Sequence, residues 1–144
     1  MKVTEIMTRT VEYVTEKDML NRAAQKMKNI NVGAVPVTDD RNQLSGILTD
    51  RDIVVRAVAE NKDTSITPVS EVMTSGVVSC PVEQTVEEAA KLMEEQQVRR
   101  LLVVDGNNNV VGLLSLGDIA VKCPHEELAA EAVEEVSKPA QPAT

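Results

Sequence analysis

GILTDRDI at residues 46–53 and GLLSLGDI at residues 112–119 are the stretches on which the fold turns. Each reads glycine, two aliphatic residues, a hydroxyl, two variable residues, then aspartate and isoleucine. They stand 66 residues apart, and that spacing holds outward from them. Val3–Ile53 lies on Val69–Ile119 without a gap, with 16 identities in 51 positions. IMT at 6–8 meets VMT at 72–74, Ala23-Ala24 meets Ala89-Ala90, Met27 meets Met93, and Asp39 meets Asp105. A register kept over that length marks two copies of one structural unit.

Working back from the quoted stretch, LSGILT (44–49) and AVPVT (34–38) read as two strands, and the polar run DDRNQ (39–43) turns one into the other. DGNNN (105–109) repeats that turn chemistry. From Asp18 onward, Leu20, Ala23, Ala24, Met27 and Ile30 recur at helical spacing, and Val86, Ala89, Ala90 and Met93 repeat the stripe. TVEYV (10–14) reads as a short strand ahead of the first helix. A second helix starts near Asp50 in one copy and near Leu116 in the other. The unit is β-α-β-β-α, twice, in the α+β class. A half-buried three-stranded sheet of 50–60 residues is marginal alone, so the copies are predicted to pack sheet to sheet about a pseudo-twofold axis. The boundaries read as 1–60 for the first repeat, 61–68 for a linker, and 69–124 for the second repeat. Residues 125–144 form an acidic extension, with an exposed helix over 125–136 and a disordered end.

Composition narrows the function classes. The core is aliphatic, with Tyr13 the single aromatic residue, so no aromatic platform exists for stacking bases. The net charge of −8 argues against nucleic acid as a partner. Residues 1–66 balance at ten basic and ten acidic, whereas 125–144 carry one against five. Cys80 and Cys123 stand alone, without metal-ligand spacing. No apolar run approaches the roughly 18–20 residues of a membrane span. The opening MKVTEIMTRT lacks signal-peptide character. A cytoplasmic setting without a membrane partner is the expectation.

Thr49 and Ser115 end a strand, and Asp52 and Asp118 follow three residues later in the first helical turn. A carboxylate there can accept two hydrogen bonds from a vicinal diol, as an acidic residue does on the ribose of dinucleotides. The hydroxyl can bond a ribose oxygen or a phosphate. The same Thr/Ser-x-x-Asp spacing is also a helix-capping signature, worth about 1 kcal/mol per cap, although the reciprocal box prefers Glu or Gln at its third position. Both readings are open on the motif alone. Gly46 and Gly112 allow close approach of another group to the strand. His125 reads as a solvated residue beside the acidic extension, with no metal site around it. Asp39-Asp40 belongs to hairpin chemistry, and Glu5 with Glu71 makes no catalytic dyad. No nucleophile has a base beside it, so the chain is not expected to be an enzyme.

Taken in order and twice over, IMT and VMT, the Ala-Ala helix, VGAVPVTD and VRRLLVVD, and GILTDRDI and GLLSLGDI resemble the cystathionine-β-synthase (CBS) domain family, arranged as a tandem pair or Bateman module. The resemblance covers roughly residues 1–122, and is nearest to small bacterial stress-associated CBS proteins. It implies binding of AMP, ADP, ATP, S-adenosylmethionine or a related adenosyl ligand in the cleft between the repeats, as a regulatory ligand and not a required cofactor. It assigns the ribose to Thr49 and Asp52 and to Ser115 and Asp118, with Thr8 and Thr74 as further contacts. It also directs a ligand phosphate to Arg99 and Arg100, which have only Gly33-Ala34 as counterparts in the first copy. Those arginines could instead pair with Glu94, Glu95 or a partner chain. Arg51 could reach an anion, though Gly117 fills its place in the second copy. The rival to a ligand sensor is a structural or protein-interaction module without a ligand, acting on an unidentified protein partner. Ile53, Val54, Val55, Ala57 and Val58 give the first repeat more apolar helix than it can bury. The expected assembly is therefore a homodimer shaped as a flat disc, with the acidic extension outside it.

Overall fold

The computed structural model describes residues 1–9, 12–123 and 126–137. The first repeat forms β1 (Val14–Thr15), α1 (Leu20–Ile30), β2 (Ala34–Thr38), β3 (Leu44–Thr49) and α2 (Asp50–Asp52, continued as a π-helical stretch Ile53–Val58). The second forms β4 (Ser79–Pro81), α3 (Val86–Gln96), β5 (Arg100–Val104), β6 (Val110–Ser115) and α4 (Leu116–Lys122), and α5 (Glu126–Val136) follows. Each repeat is thus βαββα, in an α+β chain with two three-stranded sheets, ordered β1-β2-β3 and β4-β5-β6. In each sheet the first pair is parallel and the second a hairpin.

The compact units are cut at different places from the sequence repeats. One unit gathers Met1–Val11 with Val78–Thr144, and the other is Glu12–Val77. The opening segment of each repeat therefore completes the unit built on the other repeat's sheet. Thr8 and Leu113 exchange both backbone hydrogen bonds at 2.9 Å, and Thr74 and Ile47 do so at 2.9 and 3.0 Å. Val3 and Ile6 are buried with Met93, Leu101, Leu114 and Ile119, and Val69 and Val72 with Leu20, Val35, Val37 and Leu48. These segments also cap helices. Leu20 N donates to the Thr67 carbonyl at 2.9 Å, and Val86 N donates to the Met1 carbonyl at 2.9 Å. The stretch 61–68 is therefore more than a tether, because it satisfies amide donors that the Met19 side chain cannot.

One residue, Pro36, accounts for part of the departure from the first strand reading. The strand read over 10–14 is observed as Val14–Thr15, and residues 10 and 11 lie outside those described. In the second sheet Leu102 N donates to the Val78 carbonyl at 3.1 Å and Ser79 pairs with Leu102. Pro36 occupies the place of Leu102 and has no N–H, so β1 loses the residue that would match Ser79. Gly46 and Gly112 lie beneath the crossing segments. A Cβ on Gly46 would stand 2.6 Å from the Thr74 carbonyl oxygen, and one on Gly112 would strike the Met7 side chain and approach the Thr8 carbonyl. The close neighbour inferred for these glycines is the chain's own backbone.

The expected exposed acidic helix is corrected in one respect: α5 packs on α3 and α4, and Val136 is buried with their core. Gln97 Nε2 donates to the Glu94 and Glu135 carbonyls at 2.8 and 3.2 Å. Desolvation, with the carboxylates of Glu131, Glu135 and Glu95, holds the Glu94 carboxyl above its ordinary value, and Lys91 opposes this. His125 and the expected disordered end lie outside the described residues.

Gly46→Ala should lower unfolding stability by about 1–3 kcal/mol, because backbone must move to admit the methyl group. Gly106→Ala, with open space around it, should stay within about 0.5 kcal/mol in the same urea titration. Because the Glu94 pKa is raised on folding, the packed form binds more protons than the unfolded one through the range just above the ordinary carboxylate value. Stability of the α5 contact then rises as pH falls through that range. Glu94→Gln should slow amide exchange in α5 at neutral pH; unchanged or faster exchange contradicts the like-charge account.

Candidate functional site

Each hairpin delivers its second strand into a helix at a sharp corner, and that corner holds the predicted residues. Thr49 has an extended backbone and caps α2. Its Oγ1 accepts from Asp52 N at 3.0 Å, and Asp52 Oδ2 accepts from Thr49 N at 3.0 Å. Ser115 and Asp118 repeat this at 3.0 and 2.9 Å. The reciprocal box is complete in both copies, so an aspartate at its third position does not weigh against capping. Capping accounts for one carboxylate oxygen and leaves the other to further donors.

Those donors include residues missing from the predicted set. Arg56 Nε lies 3.9 Å from Asp52 Oδ1, and Lys122 Nζ lies 3.3 Å from Asp118 Oδ1. The two cations are again 66 residues apart, one turn beyond each carboxylate. That recurrence was available in the sequence just past the aligned window. Each cation also ties the corner to its crossing segment. Arg56 donates to the Met73 carbonyl at 3.0 Å, and Lys122 donates to the Ile6 carbonyl at 3.2 Å. Thr74, half-buried, donates its hydroxyl to Asp52, whereas Thr8 is exposed.

Arg99 and Arg100 stand at the start of β5, with Arg100 opposite Ser115 across the hairpin. Together with Ser115, Leu116, Gly117, Ala120 and Val133 they line a cavity of about 420 Å³. Among the described residues neither arginine has a carboxylate within ion-pair distance, so the pairing with Glu94 or Glu95 is not formed. Asp118 and Thr8 are not part of this wall; Ser115 is the residue common to the carboxylate and the arginines. Gly33 and Ala34, the uncharged counterparts, form no such basic site. Arg51 is exposed, and its described bond is a backbone one to Asp50. A second cavity, of about 490 Å³, lies along α1 between Asp18, Arg22, Lys26 and Asn29 and contains none of the predicted site residues.

Other groups have structural accounts. Asp39 and Asp105 accept from backbone amides within their hairpin turns. Glu5 accepts from Lys2 N, and Glu71 pairs with Lys62. Cys80 and Cys123 are free and buried, and burial pushes the Cys80 thiol up to about 11. Among the described residues no cluster of His, Cys, Asp and Glu is placed to hold a metal ion, and no helix is long and apolar enough to cross a membrane.

The doubled unit matches a family model twice: the CBS domain model matches residues 3–58 and 69–136. The chain belongs to the CBS domain family. It is 43% identical over 135 residues to the CBS domain-containing protein YhcV of Bacillus subtilis, covering 94% of each. It is 33% identical over 124 residues to Hypoxic response protein 1 of Mycobacterium tuberculosis, covering 86% of each. The crystal structure of Hypoxic Response Protein I, with two coordinated zinc ions, aligns with a TM-score of 0.72 over 86% of this chain and all of that one. The CBS domain pair of protein MJ0100, in complex with 5′-methylthioadenosine and S-adenosyl-L-methionine, is 27% identical and aligns with a TM-score of 0.72, over 83% of this chain and 97% of that one.

Removing one cap hydroxyl should have a local cost. Ser115→Ala is expected to lower stability by about 1 kcal/mol in urea unfolding. A loss below about 0.2 kcal/mol would show that the box does not hold the corner.

Proposed function

We propose that this CBS pair is a regulatory module and not an enzyme, and that it binds an adenosyl ligand: AMP, ADP, ATP or S-adenosylmethionine. The observation that carries the reading is the second corner, where Ser115 joins a carboxylate, Asp118, to a cavity bearing two arginines that have no carboxylate partner among the described residues. A carboxylate suits the ribose diol, and unpaired guanidinium groups suit a phosphate or carboxylate. The relative crystallised with methylthioadenosine and S-adenosylmethionine supports the ligand class. No cofactor is required for this role, and the ligand acts by changing how the module meets a protein partner. The name of the mycobacterial relative supports a stress-related setting, in the cytoplasm.

We further propose that the module works as a homodimer. Val54, Val55 and Val58 lie on α2 with 57, 48 and 60% of their surface exposed, while Ala57 is buried. An aliphatic row of this kind on an exposed helix fits a self-complementary twofold contact.

Titration calorimetry against AMP, ADP, ATP and S-adenosylmethionine tests the first proposal. Binding by at least one is expected, weakened about ten- to a hundred-fold in Asp118→Ala, the equivalent of losing bonds worth about 1.5–3 kcal/mol. Failure of all four at millimolar concentration would falsify the adenosyl reading and favour the ligand-free interaction module. Sedimentation equilibrium should give about twice 15.6 kDa, and Val55→Glu should shift the mass towards the monomer. A monomer at all concentrations contradicts the dimer.

A further inference from the structure

The two corners share a motif, yet their carboxylates are not in the same state. An ionised carboxylate offers about four acceptor positions, and a vicinal diol needs two of them. At Asp118 the described donors are the Ser115 amide on Oδ2 and Lys122 Nζ on Oδ1. At Asp52 the Thr49 amide holds Oδ2, Arg56 approaches Oδ1, and the Thr74 hydroxyl stands 3.0 Å from Oδ1 and 3.2 Å from Oδ2. With the Thr74 hydroxyl added to the Thr49 amide and Arg56, three of about four acceptor positions are engaged, which leaves fewer than the two a diol needs.

The position is enforced by the backbone. Thr74 is pinned to Ile47 by two hydrogen bonds, and its carbonyl is in close contact with Gly46. Arg56 fastens the same segment through the Met73 carbonyl. Thr8 is pinned to Leu113 in the same way, but its side chain is exposed and makes no described bond to Asp118.

We infer that Thr74 divides the labour between the two carboxylates: it clasps Asp52 as a structural group and leaves Asp118 as the carboxylate that takes a diol. This rests on the adenosyl reading above for the ligand, but not for the clasp. Asp52 joins α2 to the crossing segment, and the second corner, with Arg99 and Arg100, is the ligand site. Thr74 is a positioning residue here, acting through Asp52.

Two measurements test this on the full chain. Thr74→Val should lower the melting temperature by about 3–10 °C, the shift that follows from losing a hydrogen bond to a charged group. Thr74→Ser, which keeps the hydroxyl, should recover most of that loss, and Thr8→Val should stay within about 1 °C. Equal losses in Thr74→Val and Thr8→Val, or no recovery in Thr74→Ser, overturn the clasp. In calorimetry with AMP, Asp118→Asn should lose at least about ten times more affinity than Asp52→Asn; an equal or reversed loss overturns the assignment of the diol to Asp118. Absence of binding by AMP, ADP, ATP and S-adenosylmethionine alike, in the wild type and every variant, overturns the ligand half together with the adenosyl reading. The melting series still decides the clasp.

Discussion

Each sheet is crossed by a short segment whose backbone lies against a glycine in the third strand. Thr74 over Gly46 and Thr8 over Gly112 make the same two-bond contact with the residue after the glycine. A Cβ at Gly46 would collide with the crossing backbone, whereas one at Gly112 would strike the Met7 side chain and crowd the Thr8 carbonyl. The contact fixes more than a strand edge. It brings Val3 and Ile6, or Val69 and Val72, into an aliphatic core, and it places a threonine near each strand–helix corner. It also gives the side chains of Arg56 and Lys122 a carbonyl to hold. Core, caps and candidate site all follow from where that segment lies.

The proposed ligand contacts use the same atoms that cap the helix. A hydroxyl that accepts from a helix amide still has a proton to donate, and a carboxylate with one oxygen in the cap still has acceptor capacity. Capping therefore does not compete with the proposed recognition. What separates the two corners lies around the motif: Thr74 against Thr8, and Gly33-Ala34 against Arg99-Arg100. Two guanidinium groups with no carboxylate partner among the described residues stand together at that corner, in a chain of net charge −8. A local pair of positive charges of this kind favours an anion. The acidic helix α5 adds Val133 to the cavity wall, while its Glu131 and Glu135 act on Glu94.

The 66-residue repeat carried most of the architecture, because glycine, hydroxyl and aspartate at fixed offsets recur with the hydrophobic periods around them. The hairpins at 34–49 and 100–115 match their sequence readings, since turn chemistry and alternation agree there. The first strand is shorter than its local pattern suggests, and Pro36, acting across the sheet on a partner not visible from that pattern, accounts for the loss at position 13. Unit boundaries were not legible either, since similarity between copies says nothing about which copy a segment completes. In the site, Thr49, Asp52, Ser115 and Asp118 stood out in the motif. The cations one turn beyond them did not, because Arg56 and Lys122 fall after the last aligned isoleucine. The packing of α5 was missed for a different reason. Five glutamates suggest a solvated helix, yet one turn ending in Val136 suffices to anchor it.

Recognition of an adenosyl ligand by the second corner would be read directly from amide chemical shifts. In a titration of the ¹⁵N-labelled full chain with AMP, the largest shift changes are expected at Arg99, Arg100 and Ser115–Asp118, with smaller ones at Thr49–Asp52. Changes centred on Thr49–Asp52, or none above background with any of AMP, ADP, ATP and S-adenosylmethionine at saturation, would contradict it.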